Sequence, residues 1–116
     1  MSAHRKWHFR IEHILEAIAK IQRYTAGMSE EAFAANRLVV DAVERNFAII
    51  GEASRQIPVD VQRRHPEIPW AVMQGMRNML VHEYDAVKLD VIWRTIQSDL
   101  SPLVEPLQKL LQHEPE

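Results

Sequence analysis

The chain predicts an all-α fold, an antiparallel bundle of four or five helices. Three observations carry that expectation: apolar residues recur at steps of three and four along most of the chain, only three glycines interrupt them, and strand-type alternation of β-branched residues is missing. With 116 residues this is the size of one domain, 1–116, able to bury somewhat under about 70 % of the surface of its unfolded chain.

The first helix is expected where Trp7, Ile11, Ile14, Leu15, Ile18 and Ile21 form an apolar stripe on one face, with Gly27 supplying the permissive backbone that ends it. Ser29, followed by Glu30 and Glu31, reads as an N-cap with acids in a first turn, where the helix dipole favours negative charge. From about Asn36 to Arg55 the steps Val40, Val43, Phe47 and Ile50 define a long buried seam, in which Gly51 is a weak spot unless another backbone comes close. Pro58, Pro66 and Pro69 punctuate "IPVDVQRRHPEIPW", the expected main loop. Pro69 suits the first turn of a helix carrying Trp70, Val72, Met73, Met76 and Leu80. A further helix follows through Leu89, Ile92, Trp93, Ile96 and Leu100; Ser101 and Pro102 restart or kink it before Leu103, Leu107, Leu110 and Leu111. The tail "QHEPE" is expected to fray.

Composition excludes several classes. There is no cysteine, hence no disulfide framework, thiolate metal site or thiol nucleophile, which fits a reducing compartment. "MSAHRKWHFR" lacks the apolar run of a signal peptide and no stretch is long and apolar enough for a membrane span, so a soluble cytoplasmic protein with no membrane partner is expected. Fourteen Lys and Arg against sixteen Asp and Glu give a net charge of -2, so there is no generic basic coat and any nucleic-acid contact must be local. Local basic clusters exist at Arg5, Lys6 and Arg10 and at Arg63, Arg64 and His65, where a solvated face is the ordinary reading. His4, His8 and His13 do not complete a helical ligand set, so no metal site is expected. Trp70 and Trp93 sit in phase with apolar neighbours, which favours core packing over base stacking, and Met73, Met76 and Met79 read as a helix–helix or dimer contact. Glu44, Arg45 and Asn46 lie beside the seam, either bordering a cleft or forming a polar helix edge.

The chemistry concentrates in "RNMLVHEYD", Arg77 to Asp85. On a regular helix Arg77 and Tyr84 fall within roughly 20° of each other, whereas His82 lies roughly 140° away from Arg77. Two arrangements reunite guanidinium and imidazole: the helix ends near His82 and turns the ring back, or two copies of the segment line one cleft. The residue types are coherent with RNA phosphodiester chemistry. Arginine is a fixed fork of donors for phosphate, histidine exchanges protons near neutral pH, and a tyrosine hydroxyl positions a water, phosphate or ribose group.

"GMRNMLVHEYDAVKLDVIWRTIQSDL", "DAVERNFAIIGEASRQIP" and "IEHILEAIAKIQRYTAGMS" together resemble the HEPN superfamily, and more narrowly the HepT-like toxins encoded beside a minimal nucleotidyltransferase antitoxin of the MntA type. The resemblance covers nearly the whole chain. Its R-x-x-x-x-H-x-Y signature is matched by Arg77, Asn78, His82 and Tyr84. The resemblance implies a single HEPN-like domain that forms a homodimer and acts as a metal-independent endoribonuclease toxin, without cofactor. Arg77 and His82 would be catalytic, Asn78 would orient the histidine or the phosphate, and Tyr84 would accept AMP from the cognate antitoxin. The competing expectation is a catalytically silent helical subunit that binds the nucleotidyltransferase.

Overall fold

The computed structural model describes residues 7–79 and 86–114. Among these there is no strand, and seven α-helices and a 3-10 turn follow one another: α1 (Trp7–Thr25), α2 (Glu30–Ala35), α3 (Arg37–Arg55), α4 (Val59–Arg64), α5 (Trp70–Gly75), the turn Met76–Asn78, α6 (Ala86–Ser98) and α7 (Ser101–His113). The all-α expectation holds.

The stripe on α1 is buried as its spacing requires, with Trp7, Ile11, Ile14, Ile18 and Ile21 sealed from solvent. Thr25 closes the helix by donating its hydroxyl to the Ile21 carbonyl at 2.8 Å, and Gly27 turns the chain at φ 76, a left-handed value that suits a residue without a Cβ. Ser29 caps α2 by accepting from the Ala32 amide at 3.1 Å, and Phe33 is the residue that α2 buries. Asn36 ends α2 and starts α3, its side-chain oxygen accepting from the Val39 amide at 3.1 Å. The α3 seam of Val40, Val43, Phe47 and Ile50 is fully buried. It packs along α1, while the opposite end of α3 meets α5 and the 3-10 turn.

The proline-rich connection departs from expectation. It contains α4, with Pro58 at its N-cap. Ile57, Val61 and Ile68 anchor it in the core, so burying three aliphatic side chains offsets the poor helical nucleation of so short a segment. Pro69 precedes α5, and the Trp70 indole donates to the His65 carbonyl at 3.0 Å. Trp70 is thus core, and the partly buried Trp93 packs against the core on Phe33, ring centroids 5.2 Å apart. Ile92 and Ile96 on α6, Leu100 at the junction, and Leu103, Leu107 and Leu110 along α7 complete the bundle. Ser101 and Pro102 do restart the helix.

Within the C-terminal tail, Glu114 is a second departure, while residues 115 and 116 lie outside the described residues. Glu114 does not fray: its carboxylate accepts from Arg64 Nη2 at 2.5 Å and Nε at 3.1 Å and from His65 Nε2 at 2.5 Å, and its backbone carbonyl accepts from His8 Nε2. Since that carbonyl can only accept, His8 carries its proton on Nε2, leaving a buried Nδ1 without a partner among the described residues. His8 stacks on Trp7 at 3.8 Å. One residue therefore joins the ends of α1, α4 and α7.

The Arg64 hydrogen bonds hold the Glu114 carboxyl down at about 2; partial burial opposes this, and the His65 hydrogen bond adds to it. A depressed carboxyl contributes stability that is fully present above its unfolded value, 4.5, and is lost as pH falls toward the folded value. Glu114 is 22 % and Arg64 49 % exposed, so solvent screens the pair. Glu114→Gln is expected to cost about 1–2 kcal/mol at pH 7 by urea unfolding. The gap from wild type should close as pH is lowered from about 4.5 toward 2; a gap that persists unchanged at low pH would assign the effect to packing instead of charge.

Candidate active site

The site is built where two backbones meet. A Cβ placed on Gly51 of α3 would lie 2.6 Å from the Arg77 amide nitrogen, 2.7 Å from the Arg77 Cβ and 3.0 Å from its Cα. No side chain fits between them. Met73 and Met76 are buried beside this contact and fix the turn to the core, so these methionines make intramolecular contacts rather than a face offered to a second copy. The backbone approach that Gly51 called for is the Arg77 turn.

Once Arg77 is seated there, its guanidinium reaches the next residue on α3: Nη1 lies 3.3 Å from Glu52 Oε1, with the two side chains 40 % and 57 % exposed. A single contact at this exposure is worth at most about 1 kcal/mol. It aims the fork without consuming it. The Arg77 side chain is 40 % exposed, and a guanidinium can offer a phosphate two donors at once. Asn78 is exposed on the same turn.

The α-helix expected to carry Arg77 ends before it. The α-helix ends at Gly75, the chain tightens into the 3-10 turn, and Met79, at φ -85 and ψ 54, has left helical space while its amide still bonds the Met76 carbonyl at 3.1 Å. The expected helix is therefore shorter than the run to Leu80. His82 and Tyr84 lie outside the described residues.

Glu52 was not singled out by sequence reasoning, although its position directly after Gly51 in "IIGEA" was the available signal. Of the residues beside the seam, Asn46 is buried and donates to the Ala42 carbonyl at 2.8 Å, whereas Arg45 is exposed. Among the described residues no group of three or more His, Cys, Asp or Glu is arranged to hold a metal ion, and no helix is long and apolar enough to cross a membrane.

An all-α bundle that displays an arginine from a tight turn, followed in sequence by the rest of an R-x-x-x-x-H-x-Y signature, defines a HEPN-like helical domain. The chain belongs to the Ribonuclease HepT-like family, whose description matches residues 14–110. It is 42 % identical over 100 residues to a "Probable ribonuclease HepT" of Thermococcus cleftensis, covering 86 % of this chain and 91 % of that protein. Two further relatives bear RNase assignments in their names. One, from Caldanaerobacter subterraneus subsp. tengcongensis, is 34 % identical over 104 residues, 90 % of this chain and 93 % of the relative. The other, from Methanocaldococcus jannaschii, is 32 % identical over 99 residues, 85 % and 82 % respectively. No solved structure gives a significant match. The protein is accordingly a ribonuclease of the HepT family.

The two glycines flanking the site make a paired test. Gly51→Ala gains up to about 1 kcal/mol of helix propensity but forces backbone against backbone, an overpacking cost of about 1–3 kcal/mol, so net destabilisation in urea is expected together with weakened RNA cleavage. Gly75→Ala, where a Cβ meets nothing within 4 Å, should instead stabilise by about 0.5–1 kcal/mol. Equal effects at both positions would remove the close approach as the cause.

Proposed function

We propose that the protein is a metal-independent endoribonuclease toxin that works as a homodimer in the cytoplasm and is silenced by a cognate MntA-like nucleotidyltransferase antitoxin. The observation that carries this reading is a half-exposed arginine fork, seated on α3 through Gly51 and aimed by Glu52, in a chain that belongs to a ribonuclease family.

The roles follow from the chemistry of the side chains. His82, as general base, takes the proton of an RNA 2′-hydroxyl; the 2′-oxygen attacks the adjacent phosphorus and the bond to the 5′-oxygen breaks. A protonated His82 of the second copy donates to that departing oxygen, leaving a 2′,3′-cyclic phosphate and a 5′-hydroxyl. Arg77 holds the negative charge that builds on the non-bridging oxygens, and Asn78 orients the imidazole or the phosphate.

Silencing uses the same cleft. The Tyr84 hydroxyl releases its proton to solvent as its oxygen forms a bond to the α-phosphorus of ATP in the antitoxin's site; the bond from that phosphorus to the bridging oxygen breaks, pyrophosphate leaves, and Tyr84 then carries AMP. The added phosphodiester presents negative charge and bulk to Arg77 and His82, where the RNA phosphate would otherwise sit.

In EDTA, wild type should cleave RNA, while Arg77→Ala and His82→Ala keep the wild-type molecular mass and lose at least about 100-fold in rate. An unchanged rate for His82→Ala would remove it from the mechanism. RNA left whole by wild type in every condition would favour a silent nucleotidyltransferase-binding subunit. Incubation with the antitoxin and ATP should add AMP to a peptide containing Tyr84 and to none from Tyr84→Phe; label elsewhere would overturn the assignment.

A further inference from the structure

The seam between α1 and α3 is open on one side as a groove that begins where the Arg77 site ends. Two adjoining cavities of about 430 and 250 Å³ run along it and share His13 and Ile49. Their linings pair early residues of α1 with late residues of α3, so the helices run antiparallel: Arg10, His13, Arg45, Glu52 and Gln56 line the larger cavity, and His13, Lys20 and Asn46 the smaller. Glu52 belongs both to the groove and, through its ion pair with Arg77, to the candidate active site.

The charges in this groove do not cancel. Glu52 is engaged with Arg77, and Glu16, also in the smaller cavity, is engaged with Lys20 at 3.2 Å. Elsewhere on the surface one-turn pairs neutralise many of the cations, as in Arg37–Asp41, Arg94–Asp90 and Lys109–Glu105. Arg45 is denied that arrangement: one turn before it Asp41 is held by Arg37, and one turn after it stands Ile49. Arg10 has Ile14 one turn on, and its guanidinium lies over the Phe9 ring at 5.1 Å. Neither arginine makes an ion pair among the described residues, and an exposed His13 stands between them on the groove wall. In a chain whose net charge is -2, these two guanidiniums supply a local positive strip. From Arg10 to Lys20 the α1 wall rises about 15 Å, more than a lone anion needs.

We propose that this groove binds the phosphodiester backbone of single-stranded RNA beside the cleavage point, with Arg10 and Arg45 on successive phosphates and Glu52 marking the junction with Arg77. The proposal rests on the ribonuclease reading above and assigns two substrate-binding residues outside its signature. Charge complementarity selects the occupant: unopposed guanidiniums beside a catalytic arginine match a polyanion that must pass that arginine.

The test measures fluorescence anisotropy with a labelled 2′-O-methyl oligonucleotide, which lacks the nucleophilic hydroxyl and survives the assay. R10A/R45A should bind at least about tenfold more weakly than wild type, and its slope of log affinity against log salt should shrink by about 1.4, two lost single-strand contacts. Arg45→Lys, which keeps the charge, should retain most of the affinity. On cleavable RNA the double variant should raise KM more than it lowers kcat. Wild-type affinity and slope in R10A/R45A, in a wild type that cleaves RNA, would overturn the groove proposal alone. Binding through the groove by a wild type that cuts nothing would uphold the groove and overturn the nuclease, while a wild type that neither binds nor cuts overturns both. A change in the double variant's molecular mass by light scattering would make the groove a contact between copies and overturn the proposal.

Discussion

The geometry of the candidate site depends on the absence of one atom. Gly51 lies in the interior of α3, where glycine is about 1 kcal/mol worse than alanine, and the helix tolerates this because a Cβ there would strike the Arg77 backbone at 2.6 Å. The approach places a main chain, not a side chain, against the helix. A side chain can rotate away; a turn pinned by Met73 and Met76 in the core cannot. The arginine is thereby positioned by backbone contact. Glu52, one residue on, supplies direction where Gly51 supplies distance.

That division of labour bears on how the arginine functions. A guanidinium buried in a strong ion pair would have to break it before meeting phosphate, at a cost of several kcal/mol. Glu52 is 57 % exposed and touches Arg77 through one nitrogen at 3.3 Å, so exchange of carboxylate for phosphate is nearly free of such a penalty. The carboxylate also tempers the field at the mouth of the α1–α3 groove, which is lined by Arg10 and Arg45. An incoming strand meets attraction along the groove and a weakly held donor at its end.

Much of this was legible in the residues themselves. The stripes on α1, α3, α6 and α7 are long enough for periodicity to fix both helix and buried face, and the positive φ at Gly27 and the close approach at Gly51 follow from where glycine stands in the pattern. Short elements were less visible. α4 spans six residues and buries Val61 alone, so prolines dominate its signal. The anchoring of Glu114 by Arg64, His65 and His8 joins residues 49 to 106 positions apart; nothing local in "QHEPE" announces a contact made by tertiary packing. Glu52 escaped notice for a similar reason, because its role exists only once Arg77 is brought to α3.

The 3-10 turn changes the argument for a second copy. On a continuous helix Arg77 and His82 stand roughly 140° apart, and pairing two chains is one way to bring such groups together. The helix ends at Gly75 and Met79 has left helical dihedrals, so the continuous helix on which that angle is reckoned stops before His82. In the proposed mechanism a second copy would supply a second proton carrier. Cleavage by the 2′-hydroxyl needs one group to accept a proton while another donates one, and a single imidazole cannot be base and acid in the same step. Each chain offers one signature histidine, so in the proposed mechanism the second proton carrier would come from a second copy.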